Sequence, residues 1–319
     1  MALIYNATFD KNTRKLAFED RAGNEIYSFT VPERGPVDDI TKPLTFRATQ
    51  DGSTVTLKKN GSPEGSFQTS TDGGNTWSDY TINTAIPLNT GDEVSFRAKS
   101  DRTSAQNSDN YFYFYMKGKI EAWHNVMSLW RTNDFATYNT LVESAFNSLF
   151  HNCYSLTKAP VLPSTTLATD CYEFMFQGCR SLTKAPELPA TKLADSCYSN
   201  MFSGCRSLTK APELPATKLA DSCYSYMFDN CESLTQAPAL PAKYLKFSCY
   251  YIMFSRCSKL KEVRIAAIST GTYALDSWLS GVSATGDFYC DPNATIFPTG
   301  KSGIPENWRR LNINDYPTT

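Results

Sequence analysis

Histidine is scarce in this chain of 319 residues, where only His124 and His151 occur. The side chain that most often serves as general base or metal ligand is therefore missing from most of the surface. The sequence also lacks a GxSxG nucleophile motif, a Gly-rich phosphate loop and any paired histidine–carboxylate spacing. We therefore expect no enzymatic activity, no cofactor and no metal site.

The chain has neither a large net charge nor a long apolar run. Its 31 Lys and Arg residues nearly balance its 32 Asp and Glu residues, which leaves a net charge of −1. No broad electrostatic field therefore favours nucleic acid or an anionic membrane surface. No stretch approaches the roughly 18 apolar residues of a membrane span. The N-terminus also lacks the basic start and apolar core of a secretory signal. We expect no nucleic-acid partner, no membrane span and no signal peptide.

A self-similarity with a period of 26 residues dominates the middle of the chain. The segments Cys179–Ser199 and Cys205–Ser225 are identical. A period in this range indicates stacked repeats, in which each unit buries its apolar face against its neighbours. Three series of residues keep the 26-residue step: Cys153, Cys179, Cys205, Cys231 and Cys257; Phe150, Phe176, Phe202, Phe228 and Phe254; and Leu156, Leu182, Leu208, Leu234 and Leu260.

Each repeat is predicted to hold a short strand followed by a helix. In the third repeat Leu219, Cys223 and Met227 step by four residues, and Tyr224 and Phe228 follow the same course. This spacing is typical of one face of an amphipathic helix. The proline-bounded half, SLTKAPELP, predicts one brief parallel strand. Together they predict an α/β solenoid.

Nine of the ten cysteines lie on the repeat lattice, and no CxxC pair occurs. A second cysteine series falls on the predicted helices. Packed helices lie about 8–10 Å apart, which is beyond the reach of a disulfide. We therefore predict buried, free thiols, with some bridging as the alternative. The second series consists of Cys171, Cys197, Cys223 and Cys249.

The sequence predicts four parts. Residues 1–40 carry strand-like runs but too little mass for a core of their own, so we expect an arm that pairs with the next domain or with another chain. Residues 41–130 alternate with period 2 between turns, as in a small antiparallel, immunoglobulin-like β-sandwich. The repeats fill residues 131–282, and residues 283–319 are expected to cap them. The expected assembly residues of the arm are Leu3, Ile4, Tyr5, Phe9, Ile26, Tyr27 and Phe29.

Inside the predicted sandwich, Ser70–Trp77 reads STDGGNTW and resembles the Asp-box hairpin of sialidases and other propellers. The motif predicts a turn in which Asp72 caps backbone amides, two glycines adopt positive φ and Trp77 packs underneath. A glycosidase is the alternative interpretation. Glycoside cleavage needs placed catalytic groups, and nothing in the sequence singles any out.

The repeat pattern FxxCxSLTKAPxLPATxLAxxCYxxMF resembles the BspA-type leucine-rich repeats of surface proteins of gut anaerobes and of their phages. The terminal segment Gly303–Trp308, GIPENW, is similar to the flanks that such arrays often carry. The resemblance implies a strand plus helix in each repeat, extracellular recognition and no enzymatic activity. The predicted fold is thus multidomain, with an all-β arm, a small sandwich and an α/β leucine-rich-repeat solenoid.

Two columns on the predicted strand side give a candidate binding face striped with lysine and glutamate. It would suit a host glycan or a protein receptor, and a merely solvated face is the alternative. A column of tyrosines shares the cysteine face, so we predict that it packs inside rather than stacking on sugars. The candidate face consists of Lys158, Lys184, Lys210, Gln236, Glu187 and Glu213, and the tyrosines are Tyr172, Tyr198, Tyr224 and Tyr250.

These observations favour a bacteriophage virion protein, such as a capsid decoration, a head fibre or a tail-associated adhesin. It would lie on the virion surface, join an oligomeric assembly with other virion proteins through residues 1–40, and display its repeats. A bacterial cell-surface adhesin of BspA type is the first alternative, and a glycan-active enzyme is the second.

Overall fold

The computed structural model describes residues 6–10, 15–19, 25–30, 37–107 and 109–316. The chain divides into two compact units, Met1–Asp38 and Asp39–Thr319. The first unit is an antiparallel meander whose strands are bonded in chain order, so that β2 is central. Its strands are β1 (Asn6–Asp10), β2 (Lys15–Glu19) and β3 (Glu25–Thr30).

The predicted assembly residues fall on this unit. Phe9 lies on β1, and Ile26, Tyr27 and Phe29 lie on β3. Leu16 of β2 is in register with both Phe9 and Phe29. The other three predicted residues, Leu3, Ile4 and Tyr5, lie outside the described residues.

The second unit begins with two antiparallel sheets, whose strands alternate apolar and polar residues. One sheet has the order β10-β5-β8, and the other runs β11-β4-β9-β6-β7. Phe46, Phe96 and Phe114 meet edge to face between them, with ring centroids 4.6–5.7 Å apart. The strands are β4 (Thr45–Ala48), β5 (Ser53–Asn60), β6 (Phe67–Ser70), β7 (Ser78–Tyr80), β8 (Ile86–Leu88), β9 (Glu93–Ala98), β10 (Tyr111–Lys117) and β11 (Ile120–Trp123).

The Ser70–Trp77 segment forms the turn between β6 and β7. Asp72 accepts hydrogen bonds from the Thr76 amide through both carboxylate oxygens, at 3.0 Å each. The hydrogen bonds that Asp72 accepts from the Ser70 hydroxyl, and then from the hydroxyl and amide of Thr76, hold its pKa well below its usual range. Gly73 and Gly74 have positive φ. Trp77 is half-buried, with the Arg97 guanidinium 4.2 Å from its ring centroid. The loop therefore has the turn geometry that its sequence predicts.

The sandwich continues directly into the repeats. Strand β11 pairs in parallel with β12 (Leu156–Lys158) of the first repeat. On the other sheet, the outer edge of β10 is covered, because the Phe114 amide donates to the Leu149 carbonyl at 2.7 Å. Phe114 and Phe150 stack at 5.4 Å across this junction. One hydrophobic core therefore runs through both parts.

Regular strands occur only at the two ends of the repeat array. They are β12 and β13 (Glu262–Arg264), while the intervening repeats meet through isolated parallel bridges such as Lys184 to Lys210. The prediction of one strand in every repeat is therefore wrong for the central repeats. The AP-x-LP segment follows this position in each of the first four repeats and keeps any strand short, because proline has no N–H group to donate to a ladder.

The predicted helices are absent from the described part of the second unit, which contains no α-helix and only two short 3-10 helices, Val126–Leu129 and Ile313–Asp315. A run of β-turns takes the place of each helix. In the second repeat Ser196, Asn200 and Gly204 all have φ between 52° and 73°. A left-handed residue at every fourth position closes one turn after another and cannot belong to an α-helix. The solenoid is therefore built of strands, bridges and turns.

The backbone of each turn run alternates between two kinds of hydrogen bond. The amides of Ser199, Met201 and Ser203 donate to the carbonyl three residues earlier and close their own turns. The intervening amides cross to the next repeat: Tyr198 donates to Cys223 at 3.1 Å, for example. Neighbouring turn runs are thus paired residue by residue, like the strands of a parallel sheet.

All ten cysteines are buried and free. The helix-spacing argument for their isolation is wrong, however, because bonded turn runs lie closer than packed helices. In the first series each thiol donates to the carbonyl of a phenylalanine in the layer before it, as Cys205 does to Phe176 at 3.1 Å. That carbonyl already accepts from the amide of Cys179, so the small thiol satisfies its second lone pair.

Two aromatic columns run along the interior of the array. Phe176, Phe202 and Phe228 stack nearly parallel, with ring centroids 5.6 and 5.7 Å apart. The tyrosines stack in the same way, at 5.7–6.1 Å, and are at most 1% exposed. The prediction that Tyr172, Tyr198, Tyr224 and Tyr250 pack inside is confirmed, and the alternative of a sugar-stacking ladder is wrong.

The C-terminal segment adds β14 (Gly286–Cys290) and β15 (Trp308–Asn312), which continue in parallel from β13. Two tryptophans fix this end. Trp278 donates its indole N–H to the Gly303 carbonyl at 3.1 Å, and Trp308 donates to Ser283 at 2.8 Å. The chain then turns back along the strand side as far as Tyr316, whose ring packs on Tyr289 at 4.9 Å.

Candidate binding surface

The predicted lysine column lies on the strand side of the repeats, where its members occupy equivalent positions in successive layers. Lys184 and Lys210 are directly paired by a parallel bridge. Lys184, Lys210 and Gln236 are exposed, and so are Glu187 and Glu213. Stacking places like charges side by side along the column, which is mildly unfavourable and leaves the ammonium groups available to an anionic or hydroxyl-rich ligand.

Lys158 differs from the other lysines of the column. It is half-buried, and its ammonium lies 3.7 Å from the Trp123 ring centroid. The same nitrogen donates to the carbonyls of Ala122 and Ala159 at 3.5 and 3.4 Å. Trp123 belongs to β11, so Lys158 links the sandwich to the first repeat and is not placed for a ligand.

A groove of about 540 Å³ opens where the third and fourth repeats meet the returning C-terminal segment. It gathers three of the six predicted residues, Lys210, Glu213 and Gln236, and adds Arg264 and Tyr316. The other three, Lys158, Lys184 and Glu187, do not line it. Its floor is small and apolar, formed by Ala211, Ala237, Pro238 and Ala239, and Thr209 and Thr235 complete the lining.

Tyr316 closes one end of the groove through a hydrogen-bonded set. Its hydroxyl donates to the carboxylate of Glu262 at 2.7 Å, and the Gln236 amide nitrogen lies 2.6 Å from the same hydroxyl. Gln236 also bonds Glu262 directly. Burial, together with the bond to Glu262, raises the pKa of Tyr316, so the phenol is protonated at neutral pH. The Arg264 guanidinium lies 4.7 Å from the ring centroid.

Sequence reasoning missed Arg264 and Tyr316. Arg264 lies in the degenerate fifth repeat, one layer beyond the two predicted columns. Extending the columns by one repeat would have reached Glu262 and directed attention there. Tyr316 lies 80 residues from Gln236 in the chain, and no repeat signal connects them.

A second depression of about 550 Å³ adjoins the groove on the far side of Glu262. Asp287 and Arg309 lie across it and form an ion pair at 2.6 Å between neighbouring strands β14 and β15. Both side chains are thus already matched, and this depression offers fewer unpaired groups than the first. Its lining residues are Lys261, Glu262, Thr285, Gly286, Asp287, Asn307 and Arg309.

The groove offers two cations, a carboxylate, an amide and a phenol around an apolar floor. Such a mixture suits a ligand with many hydroxyl or amide groups, because each wall can donate and accept hydrogen bonds. Within residues 37–107 and 109–316 no group of three His, Cys, Asp or Glu side chains is placed to hold a metal ion. Among the described residues no helix is long and apolar enough to cross a membrane.

Comparison with known proteins identifies the repeats. Residues 143–278 match the model of the BspA type leucine rich repeat region in six copies. The match does not extend to the sandwich. No curated protein and no solved structure matches this chain. Repeats of this type are typical of surface proteins that bind or adhere, and the family is generally non-enzymatic.

Proposed function

We propose that this chain is a bacteriophage virion protein, a capsid decoration, head fibre or tail-associated adhesin, that joins the particle through residues 1–40 and binds the host surface with its repeats. The observation that carries the binding role is the groove at Lys210, Gln236, Arg264 and Tyr316, which opens on repeats of a family typical of surface binding proteins. A bacterial cell-surface adhesin is the alternative that the same repeats favour.

The N-terminal unit supports the assembly role. Its three strands form a compact unit separate from the rest of the chain, and a unit of this size rarely builds a stable core alone. β1 and β3 are the outer strands of the meander. Outer strands can add to a sheet of another subunit or of a neighbouring virion protein.

Deleting residues 1–36 tests the assembly role. The remaining chain keeps the shared core of sandwich and repeats, so we expect a folded, soluble protein that no longer sediments with particles. Immunogold labelling of the full chain on purified phage, with the truncated chain as control, reads out the location. Labelling of bacterial envelopes instead of particles would favour the adhesin, and normal incorporation of the truncated chain would contradict the proposed arm.

Two substitutions test the groove. Tyr316→Phe removes the hydroxyl that bonds Glu262 and Gln236, and Gln236→Ala removes the neighbouring amide. We expect each to weaken binding to host cells at least fivefold, measured with labelled protein and intact cells. Lys184→Ala, in the same column but outside the groove, is the matched control and should bind like the native protein. Equal binding by all four proteins would exclude the groove as the receptor site.

A further inference from the structure

One edge of the fourth repeat departs from the pattern of the repeats before it. The second and third repeats read PATKLADS at this edge, and the fourth reads PAKYLKFS. Two uncharged residues become lysine, a lysine becomes tyrosine and an aspartate becomes phenylalanine. The formal charge of the edge thus rises from zero to +2. The changed residues are Lys243, Tyr244, Lys246 and Phe247, which replace Thr217, Lys218, Ala220 and Asp221 of the third repeat.

The new aromatic side chains point to solvent. Tyr244 is 67% exposed and Phe247 is 47% exposed, and both lysines are exposed. The fifth repeat adds Tyr273, 56% exposed, whose ring lies 5.8 Å from that of Phe247. Ile268, which is also exposed, precedes the residue that bridges to Tyr244. Half of the eight large apolar side chains exposed in the described part of the chain are therefore at this one edge.

The fold does not require these aromatic residues. At the same positions the second repeat carries Lys192 and Asp195 and the third carries Lys218 and Asp221, and both repeats form the same kind of turn run. Exposed rings gain nothing from burial, and an exposed apolar cluster rimmed by charge is typical of a binding site. Ligand binding at this edge of the fourth repeat is thus the best explanation for the four changed residues.

We propose that this edge, defined by Lys243, Tyr244, Lys246, Phe247 and Tyr273, binds an anionic polysaccharide. The rings would pack against the apolar C–H faces of the sugars, and the two ammonium groups would pair with carboxylate or sulfate groups along the chain. The local excess of positive charge selects an anionic ligand, since the edges of the two preceding repeats are neutral. The proposed site shares no residue with the groove and goes beyond the proposed function.

The extent of the cluster favours a polysaccharide over a protein. A stable protein interface covers about 800 Å² on each partner and involves about 20–30 residues with an apolar centre. Here four exposed apolar side chains are interrupted by two lysines, which are depleted at the centres of protein interfaces. A sugar chain needs only a few rings and charges in a row. Binding is expected to weaken as salt rises, because these charges are exposed.

The test measures binding of the full chain to four immobilised polymers: polygalacturonate, dextran sulfate, unmodified dextran and poly-L-glutamate. We expect binding to polygalacturonate or dextran sulfate, and the stronger of the two tells whether carboxylate or sulfate is preferred. Dextran and poly-L-glutamate should each bind at least tenfold more weakly, because one lacks charge and the other lacks sugar faces.

The chain supplies its own control variants. Lys243→Thr, Tyr244→Lys, Lys246→Ala and Phe247→Asp together restore the sequence of the third repeat, and should keep the melting temperature while reducing binding at least tenfold. Lys184→Ala, at an exposed position outside both this edge and the groove, should leave this binding unchanged. The proposal is overturned if the restored variant binds like the native chain, if poly-L-glutamate binds as tightly as the acidic sugars, or if none of the polymers binds.

Discussion

Replacing Phe202 by alanine tests whether the stacked interior holds the array together. Phe202 is fully buried and lies between Phe176 and Phe228, with interplanar angles of 1° and 8°. Truncation to alanine therefore removes two ring contacts at once and leaves a cavity between three layers.

The expected loss in the free energy of unfolding is large because the backbone around Phe202 cannot relax into the cavity. Phe→Ala changes in cores cost about 3–5 kcal/mol, and each aromatic pair adds about 0.5–1.5 kcal/mol beyond burial. The Phe202 amide donates to Met227 at 2.9 Å, and its carbonyl accepts from the Cys231 thiol at 3.2 Å. Because both backbone groups are held by the next layer, collapse is restricted. We expect a loss near the upper end, about 4–5 kcal/mol.

Urea unfolding, followed by circular dichroism and by tryptophan fluorescence, measures the loss. With a slope of about 3 kcal/mol per molar urea, the midpoint should fall by about 1.5 M. Two probes are needed because repeat arrays can depart from two-state unfolding. Phe202→Leu should recover more than half of the loss, and Lys184→Ala, at an exposed position, should change stability by less than about 0.5 kcal/mol. If Phe202→Ala and Lys184→Ala shift the midpoint equally, the assignment of the buried face is wrong.

Three further predictions concern the turn runs and the buried groups. Burial raises the pKa of Cys197 to about 12, so folded protein at pH 8 should react slowly with Ellman's reagent, whereas denaturant should release ten thiols; rapid reaction of the folded chain would contradict their burial. Burial raises the pKa of Glu173 to about 7 from an ordinary 4.5, so the folded state holds the extra proton and its stability should fall as pH rises from 4.5 to 7. Glu173→Ser, the residue of the next repeat, should flatten this dependence and stabilise the protein at pH 8 by about 1 kcal/mol after solvent screening; an unchanged pH profile of melting temperatures would refute the assignment. Ile252 has φ of 55°, a strained angle for a β-branched residue, so Ile252→Asn should raise stability by about 0.5–1 kcal/mol. A loss of stability, measured by urea unfolding, would contradict the turn run and indicate a helical backbone at this position.

The interior of the repeats could be predicted from the sequence, but its backbone could not. Met227 and Phe228 are buried, as the spacing predicts. A step of four residues fits one face of an α-helix, and it fits a chain of β-turns that closes every fourth residue equally well. The distinguishing signal was present in Asn200 and Gly204, which are residue types that tolerate positive φ. Phe174 and Tyr226 occupy the same kind of position in adjacent repeats and conceal the signal.

The candidate groove was only half predictable, for a similar reason. Lys210 and Gln236 follow from the column, since equivalent residues of stacked repeats lie in a row. Tyr316 depends on where the C-terminal segment returns, which is set by packing of Trp278 and Trp308 rather than by period, whereas Arg264 lies one repeat beyond the predicted columns. Long-range packing of this kind leaves no local pattern to detect.

The alternating hydrogen bonds of the turn runs bear on how this array can evolve. The joint between two layers is made by peptide groups and by buried side chains that recur in each repeat, so any two of these layers can be joined in the same way. Recombination between the identical segments Cys179–Ser199 and Cys205–Ser225 would insert or delete one whole layer and rebuild the same joint on both sides. The number of repeats can then change in evolution while the sandwich end and the groove end of the array keep their structures. Related chains with four or eight layers would present the same sandwich end and groove end at different distances from each other.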